Sequence, residues 1–286
     1  MKKYKLKSYC KINLSLRVLK GLDNGYHRIM SLMTFCDLHD VVLITKNNKI
    51  RDEISFSGKF KKGIKKNSNT IIKTLNLLRN KRFLKREYFK INVKKNIPHG
   101  SGLGGGSSNA AVLLNSLKLL TNLKIKKKEI YKIASQIGSD VPIVLERKNT
   151  FLNGRENKIS RIKTKFKFII IIVYPNIFCS TRKIYKRNKN FTSLKYSFSH
   201  TLTKKKLMNV LKKENNDLEK TVIESHPKIG QLINFIKVQK GCYFSRITGS
   251  GSACIGIFSN MKRALYAKKL IKLKFPKYWT VLSKTI

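Results

Sequence analysis

A run of small residues between Pro98 and Ala111 has the composition of a loop that binds phosphate. Five of its nine central residues, 100 to 108, are glycine, and the run closes on the pair Ser107 and Ser108. Glycines let backbone N–H groups approach a ligand closely, because no Cβ stands in the way. A helix that begins where such a loop ends adds unpaired N–H groups and the positive end of its dipole. The run therefore predicts an anion site, and such sites most often bind phosphate.

Two common nucleotide-binding motifs fit this run poorly. The P-loop pattern needs a lysine directly after its glycines, and none is present. The dinucleotide fingerprint can be laid on Gly100, Gly102 and Gly105, but it requires an acid about 20 residues further on, and the first acid here is Glu129. A plain linker is also a poor description, because a helical pattern of apolar residues follows at once. Its members are Ala110, Leu113, Leu114, Leu117 and Leu120.

The charge of the chain is extreme, although its apolar fraction is ordinary. The 286 residues suffice for one large or two small domains, 41% of them are apolar, and the net charge is +49. Such a charge invites a nucleic-acid function. The lysines, however, occur in nearly every segment, and no RNA-binding aromatic signature is present. We therefore expect nonspecific adhesion to polyanions at low salt, but no specific nucleic-acid partner.

The cysteines and the apolar runs indicate a cytoplasmic protein. The five cysteines are scattered and form no C-x-x-C pair, as expected of free thiols in a reducing compartment. The first residues are rich in lysine but no apolar stretch follows them, so they lack the form of a signal peptide. The most apolar run, 168–174, is far shorter than the roughly 20 residues of a membrane-spanning helix and indicates a buried strand. We expect no membrane partner.

Strand-like and helix-like segments are mixed without an internal repeat, which predicts an α+β protein. We predict strands at 4–19, 53–57, 89–93 and 166–174, one or two strands over 30–45, and a strand, a glycine turn and a strand over 245–258. We predict helices directly after the glycine run and at 69–78, 129–137, 203–213, 217–224 and 227–237, with a last helix that Asn260 caps. Because the pattern of apolar and polar residues changes after about residue 155, we predict two domains, 1–155 and 156–286.

Four stretches, in order and over almost the whole chain, resemble the GHMP kinases, the family of galactokinase, homoserine kinase, mevalonate kinase and phosphomevalonate kinase. The run from Pro98 to Ala111 resembles their central phosphate motif, and Thr248-Gly-Ser-Gly-Ser-Ala253 resembles their third motif. Gly138-Ser-Asp140-Val-Pro142 resembles a catalytic-acid motif. Lys11-Ile-Asn13-Leu, followed by Asp23-Asn-Gly-Tyr26-His27, resembles the signature of the branch whose acceptor is a cytidine-diphosphate-linked methylerythritol. Homoserine and mevalonate kinases are the alternative, and this last signature separates them because their acceptors have no cytosine to stack.

The resemblance implies a fold and a reaction. The fold is the two-lobed α+β GHMP kinase fold, with an N-terminal lobe like domain 2 of ribosomal protein S5 and a ferredoxin-like C-terminal lobe, whose last strand can return to the first lobe. ATP, with Mg²⁺, would give its γ-phosphate to the 2-hydroxyl of the acceptor, in the non-mevalonate route to isoprenoid precursors. The expected partner is this small molecule, and the expected state is a monomer or weak homodimer.

The resemblance also implies site residues. Asp140 would accept or orient the proton of the acceptor hydroxyl, and Lys11 would neutralise charge beside it. The implied ATP-binding residues are Pro98, His99, Gly100, Ser101, Gly102, Leu103, Gly104, Gly105, Gly106, Ser107, Ser108, Asn69 and Lys95. Ser108 is also the implied Mg²⁺ ligand. The implied acceptor-binding residues are Asn13, Tyr26, His27, Thr181, Tyr185, Gly249, Ser250 and Gly251.

Taken one at a time, these residues have ordinary alternatives. A serine after a glycine loop can be a plain helix N-cap, and Asp140 can be an acid near the start of a helix. Lys11 is one of many lysines, most of which lie at the surface. The aromatic residues can belong to the core, and the second glycine motif can be an ordinary turn.

Overall fold

The computed structural model describes residues 2–23, 25–65, 67–121, 123–153, 158–192 and 204–286. The strands are β1 Lys3–Gly21, β2 His27–Asn47, β3 Glu53–Ser57, β4 Tyr88–Lys94, β5 Thr150–Asn153, β6 Lys158–Arg161, β7 Ile169–Tyr174, β8 Cys242–Ile247, β9 Cys254–Phe258 and β10 Trp279–Lys284. The helices are α1 Thr70–Asn80, α2 Gly105–Leu120, α3 Lys127–Ile137, α4 Val141–Val144, α5 Thr181–Arg187, α6 Lys204–Lys213, α7 Glu219–Ser225, α8 Pro227–Lys237 and α9 Met261–Lys274.

The first sheet is organised around the long strand β2. Its strand order is β3-β4-β2-β5-β6, and β1 also pairs with β2. β2 pairs antiparallel with β4 along 41–47 and with β5 along 31–33, whereas β3 and β4 are parallel. In β4, Phe89, Ile91 and Val93 are buried and alternate with more exposed residues, so the strand buries one face.

The chain divides into two compact units, which are not contiguous in sequence. The first comprises 1–11, 38–99 and 104–147, and the second comprises 12–37, 100–103 and 148–286. This division differs from the predicted domains 1–155 and 156–286, because β1, β2 and the glycine run each contribute residues to both units. The placement of the domain boundary therefore stays a prediction.

In the first unit, helices support the glycine run. α1, α2 and α3 contact one another, and α4 contacts α2 and α3. α2 buries Leu113, Leu114 and Leu117. Each such side chain contributes about 1.5–3 kcal/mol when fully buried, so the helix that follows the run is firmly anchored.

In the second unit, a four-stranded antiparallel sheet has the order β10-β7-β9-β8. α8 contacts β8 and β9, and α9 contacts β7, β9 and β10. β7 is the apolar run that the sequence predicts as a buried strand, and this prediction is confirmed. The last strand pairs with β7, and beyond it the N–H of Ile286 donates to the carbonyl of Phe35 in β2 at 3.2 Å.

Most predicted elements are present, and their ends follow local chemistry. α8 begins at Pro227, and Asn260 caps α9 by accepting from the N–H of Arg263. The sequence pattern does not predict α5, β5, β6 or β10, because such short segments offer too few periods to recognise. The polar stretch 186–200, whose composition is that of a loop, is described only as far as residue 192, and its first two residues belong to α5. Among the described residues, no helix has both the length and the apolarity that crossing a bilayer requires.

Candidate active site

The glycine run forms the turn that leads into α2. Gly104 is the N-cap of the helix and is left-handed, with φ of 68° and ψ of 16°. A Cβ on Gly104 would lie 2.5 Å from Cγ of Lys11, so a side chain is excluded by contact as well as by conformation. The first N–H groups of α2 follow at once, and helix geometry gives them no intrahelical acceptor. Because glycine occupies the N-cap, neither Ser107 nor Ser108 caps the helix, which excludes the ordinary alternative for them.

Lys11 and Asp140 form an ion pair in the first unit. Nζ of Lys11 lies 3.2 Å from Oδ2 of Asp140, and the two side chains are 6% and 35% exposed. The cation is therefore enclosed, with its stem against Gly104, while the carboxylate reaches solvent. The structure thus brings together the two residues that the resemblance names as catalytic, although their roles stay predictions.

The local sequence presents the Asp140 carboxylate to Lys11. Asp140 is the N-cap of α4, but its side chain makes no capping hydrogen bond. Such a side chain normally accepts from the second or third N–H of its helix. Here Pro142, at the second position, has no N–H, and the N–H of Ile143 donates to the Asp140 carbonyl at 3.1 Å. The proline therefore keeps the backbone from engaging this carboxylate.

Two polar atoms near the start of α2 are buried without a hydrogen-bond partner among the described residues. They are Oγ of Ser108 and Oδ1 of Asn109, both in residues that are 3% exposed. A buried polar atom without a partner costs about 1–3 kcal/mol. An Mg²⁺ ion fits the Ser108 hydroxyl, because Mg²⁺ takes oxygen ligands and keeps most of its shell for water and phosphate. No group of three or more His, Cys, Asp or Glu side chains that could hold a metal occurs within the described residues.

A fully buried carboxylate, Asp40, holds both flanks of the glycine run. It accepts from the N–H groups of Asn96 at 2.7 Å and Ile97 at 2.8 Å, and from Nδ2 of Asn109 at 3.0 Å. Lys95 completes the set by an ion pair with Asp40, and these side chains are 3% and 0% exposed. The hydrogen bonds offset the cost of taking two charges out of water. Lys95 is thus paired with Asp40, and its contact with ATP stays a prediction.

Other predicted ATP-binding residues lie around the same run. Asn69 caps α1 by accepting from two N–H groups of its first turn. Its neighbour Thr70 donates from Oγ1 to the carbonyl of Gly106 at 2.8 Å, which ties the start of α1 to the run. Nε2 of His99 lies 3.1 Å from the carbonyl oxygen of Lys62. These residues thus lie around the glycine run, and their contacts with ATP stay predictions.

In the second unit, the turn between β8 and β9 carries three of the eight residues implied to bind the acceptor, Gly249, Ser250 and Gly251. The N–H of Asn13 donates to Oγ1 of Thr248 at 2.9 Å, and Nδ2 of Asn13 donates to Oγ of Ser31 at 2.8 Å. The hydroxyl oxygens of Thr181 and Ser250 are 2.9 Å apart. Asn13, Thr181 and the turn are therefore brought together, and Thr248 and Ser31 join them without having been predicted.

Residues 100–103, which belong to the second unit, pack directly on this turn. A Cβ on Gly102 would lie 2.0 Å from the carbonyl oxygen of Thr248, and a Cβ on Gly249 would lie 3.0 Å from that of Gly102. The N–H of Ala253 donates to the carbonyl of Ser101 at 3.1 Å. Both glycines have positive φ, 80° and 56°, so the close approach also needs their conformational freedom. The turn is thus more than an ordinary β-turn.

The aromatic residues implied to hold cytosine also lie in the second unit. The rings of His27 and Tyr185 are 5.0 Å apart between centroids and tilted by 44°. Tyr26 is 62% exposed, which does not fit the alternative that it belongs to the core. Asn24, part of the same motif, lies outside the described residues. Stacking on cytosine stays a prediction for all three rings.

His27 should titrate at a lower pH than an ordinary histidine. Burial lowers its pKa from the usual 6.5, since desolvation disfavours the imidazolium. The unfolded chain then binds more protons just below pH 6.5, so the stability that neutral His27 contributes is lost as pH falls through the lowered pKa. An NMR titration of the imidazole resonances, assigned with His27→Gln, should give a midpoint below 6.5. A midpoint at or above that value would contradict the expectation.

Two sequence models of the GHMP kinases match the chain. The model of the GHMP kinases N terminal domain matches residues 69–147, and that of the GHMP kinases C terminal domain matches 201–273. The chain is also similar to a 4-diphosphocytidyl-2-C-methyl-D-erythritol kinase from Pelagibacter ubique (strain HTCC1062). The two are 38% identical over 288 residues, which cover 100% of each chain.

Solved structures share the fold. A crystal structure of 4-(cytidine 5'-diphospho)-2C-methyl-D-erythritol kinase matches with a TM-score of 0.77 and 21% identity, covering 98% of this chain and 99% of the other. A homoserine kinase from Cytophaga hutchinsonii ATCC 33406 matches with a TM-score of 0.75 and 15% identity, covering 100% and 95%. The predicted α+β fold is therefore confirmed. Since kinases of two different names share it, the fold by itself does not select the acceptor.

Proposed function

Because this chain belongs to the GHMP kinase family and, within it, to the 4-diphosphocytidyl-2-C-methyl-D-erythritol kinases, we propose the following roles for its residues in one phosphoryl transfer. The enzyme transfers the γ-phosphate of ATP to the 2-hydroxyl of 4-diphosphocytidyl-2-C-methyl-D-erythritol. The observation that carries the assignment is the Lys11–Asp140 ion pair packed against Gly104 of the glycine run.

Asp140 and Lys11 act on the reacting atoms. As the acceptor oxygen forms its bond to the γ-phosphorus, the bond from that phosphorus to ADP breaks, and the hydroxyl proton passes to the Asp140 carboxylate. Lys11, fixed 3.2 Å from the carboxylate, neutralises negative charge that develops on the transferring group. The ion pair and the contact of the Lys11 stem with Gly104 fix both groups within the fold, so little reorganisation is needed during the reaction.

The glycine run and Ser108 act on the phosphates. The N-terminal N–H groups of α2 bind phosphate oxygens, because the helix dipole and the unpaired donors favour an anion there. We assign the buried hydroxyl of Ser108 as a ligand of Mg²⁺. When bound, Mg²⁺ neutralises phosphate charge and orients the γ-phosphate. Asn69 and Lys95 are assigned to the border of the adenosine.

The second unit binds the acceptor. Tyr26, His27 and Tyr185 hold the cytosine, whose flat ring can stack on aromatic faces. Asn13, Thr181 and the turn Gly249–Ser250–Gly251 bind the polar diphosphate and sugar-alcohol portion. This set favours a cytidine-linked acceptor over homoserine or mevalonate, because neither of those offers a ring to stack.

The direct test measures ATP turnover by the purified protein with Mg²⁺, with and without 4-diphosphocytidyl-2-C-methyl-D-erythritol. We expect turnover that depends on this acceptor and stops with EDTA, because chelation removes the counter-ion of the phosphates. Homoserine and mevalonate serve as competing acceptors in parallel assays. Turnover with either of them and none with the cytidine-linked compound would overturn the assignment.

Tyr185→Ala should raise the KM for the acceptor by about tenfold or more, because stacking is worth about 1–3 kcal/mol per base. The KM for ATP should stay near wild type. Tyr266→Ala is the matched control, since Tyr266 is 60% exposed on α9 and takes no part in the proposed site. Steady-state kinetics with each substrate varied in turn would measure the effect. Equal changes in both variants would contradict the proposed clamp.

We also propose that the enzyme acts in the cytoplasm as a monomer or weak homodimer without a specific nucleic-acid partner. Its five thiols are free, which supports a reducing compartment. Light scattering on the purified protein tests the oligomeric state. Binding to an oligonucleotide should be weak and fall steeply with salt, as nonspecific phosphate contacts do.

A further inference from the structure

The segment 214–219 joins α6 to α7 and contacts strand β1. The N–H of Leu16 donates to the carbonyl of Asn215 at 3.0 Å, and the N–H of Asp217 donates to the carbonyl of Leu16 at 2.8 Å. Glu214 binds Arg17 of the same strand through two bonds of 2.8 and 2.5 Å. Three residues of this short connection are thus fixed to the strand that carries Asn13.

The side chain of Asn216 extends from this segment to the acceptor turn. Its Nδ2 donates to the carbonyl of Gly249 at 2.8 Å and to that of Ile247 at 3.2 Å, and its Oδ1 accepts from the N–H of Leu218 at 3.1 Å. The residue is 4% exposed. Nδ2 and Oδ1 of Asn216 therefore both have backbone partners, and this side chain links the segment to the turn.

Two buried charged side chains, Glu219 and Arg246, make hydrogen bonds at the end of β8, where the turn begins. Glu219 accepts from the N–H of Ile247 at 2.8 Å, and burial raises the pKa of this carboxyl. Arg246 donates to the carbonyls of Leu14 at 2.8 Å and Leu211 at 2.7 Å, and burial lowers its pKa to about 10. Charges are expensive to bury, and hydrogen bonds to backbone groups offset that cost for both side chains: Glu219 bonds Ile247 in β8, and Arg246 bonds β1 and α6. The end of β8 is thus fixed from both sides.

We propose that Asn216 is a positioning residue for the acceptor, acting through the turn that begins at Thr248. By holding the carbonyl of Gly249, it fixes the peptide that joins Gly249 to Ser250, and so the direction in which that peptide and the Ser250 hydroxyl face the acceptor. This inference rests on the proposed function. Asn216 and the turn belong to the second unit, whereas the start of α2, which we assign to the phosphates of ATP, belongs to the first. Residues 100–103 of the glycine run pack on the turn, so the loss of Asn216 should raise the KM for the acceptor strongly and the KM for ATP much less.

Asn216→Asp tests this positioning with little change of shape. The carboxylate still accepts from Leu218, but it places a negatively charged oxygen where an N–H now meets the carbonyls of Gly249 and Ile247. We expect the KM for the acceptor to rise about tenfold or more, because two hydrogen bonds are replaced by repulsion. The KM for ATP should rise much less than the KM for the acceptor. Asn215→Asp is the matched control, since it makes the same chemical change on the neighbouring, exposed residue.

Asn216→Ala is the second variant, because it removes the donors without adding a charge. The proposal requires the same selective rise in the KM for the acceptor, together with a folded protein that still binds ATP by calorimetry. Wild-type kinetics in Asn216→Asp, equal rises in both KM values, or loss of folded protein in both variants would each overturn the proposal. The wild type is assayed before the variants. If it does not use the cytidine-linked acceptor, the proposed function itself is wrong.

Discussion

Asp140→Asn is expected to lower kcat by about 10²–10⁴-fold, the usual contribution of a positioned general base. The amide keeps the size of the side chain but cannot take up the hydroxyl proton, and it ends the ion pair with Lys11. Binding of ATP and of the acceptor should persist, because the proposed contacts to both lie elsewhere. Steady-state kinetics and calorimetric titrations with each substrate would separate the two effects.

Glu129→Gln is the control for the loss of an ion pair as such. Oε1 of Glu129 lies 3.2 Å from Nζ of Lys81, the distance found in the Lys11–Asp140 pair, and Glu129 is 33% exposed against 35% for Asp140. The Lys81 pair is partly exposed on both sides and contributes about 0–1 kcal/mol to stability, whereas Asp140→Asn also takes this carboxylate from the enclosed Lys11, which is 6% exposed, and costs more. The thermal transition of each variant shows whether it remains folded. Near-normal kcat in Asp140→Asn, or an equal loss of kcat in Glu129→Gln, would show that Asp140 does not act as the base.

Gly104→Ala should lower kcat by about 10²–10³-fold, as expected when one transition-state contact is lost. The new Cβ would lie 2.5 Å from Cγ of Lys11 and 3.0 Å from its Cε, so the lysine stem must move and carry its ammonium away from Asp140. The left-handed conformation of residue 104, with φ of 68°, costs an alanine about 1–2 kcal/mol in addition. Kinetics on protein shown to be folded by its thermal transition would measure the loss.

Gly106→Ala provides the contrast within the same run. Its Cβ would meet nothing closer than Oγ1 of Thr70 at 3.7 Å, and residue 106 is already helical, where alanine is favoured over glycine. We expect kcat to stay close to wild type, with any change confined to the KM for ATP. If the two variants lose kcat equally, the special role of residue 104 against Lys11 is disproved.

The glycine run could be predicted from sequence because small residues before a helical pattern are recognisable locally. Lys11 and Asp140 were expected to lie together only from the resemblance to the GHMP kinases, and the structure places them 3.2 Å apart. Asp40 could not be predicted in this way. Its position follows from the antiparallel register of β2 and β4, in which Val41 faces Lys94, so the neighbours Asp40 and Lys95 meet across the strands. That register is a long-range property without a signal at either residue.

The same distinction explains the differences in the fold. Long periodic segments such as α8 were predictable to the residue, whereas the two compact units were not, because 12–37 and 100–103 join the second unit through contacts distant in sequence. Asn216 is another example, since its partners lie 31 and 33 residues away along the chain. Its neighbours Asn215 and Asp217 give it no distinguishing pattern.

The buried carboxylate of Asp40 also determines when the glycine run becomes ordered. Fixing the backbone of one residue costs about 1–2 kcal/mol of conformational entropy. Asp40 binds residues on both flanks of the run through contacts within the protein alone, so this cost is met once, when the chain folds. For the ATP site proposed above, we therefore expect no loss of affinity to loop ordering and no need for the loop to melt and reform in every catalytic cycle.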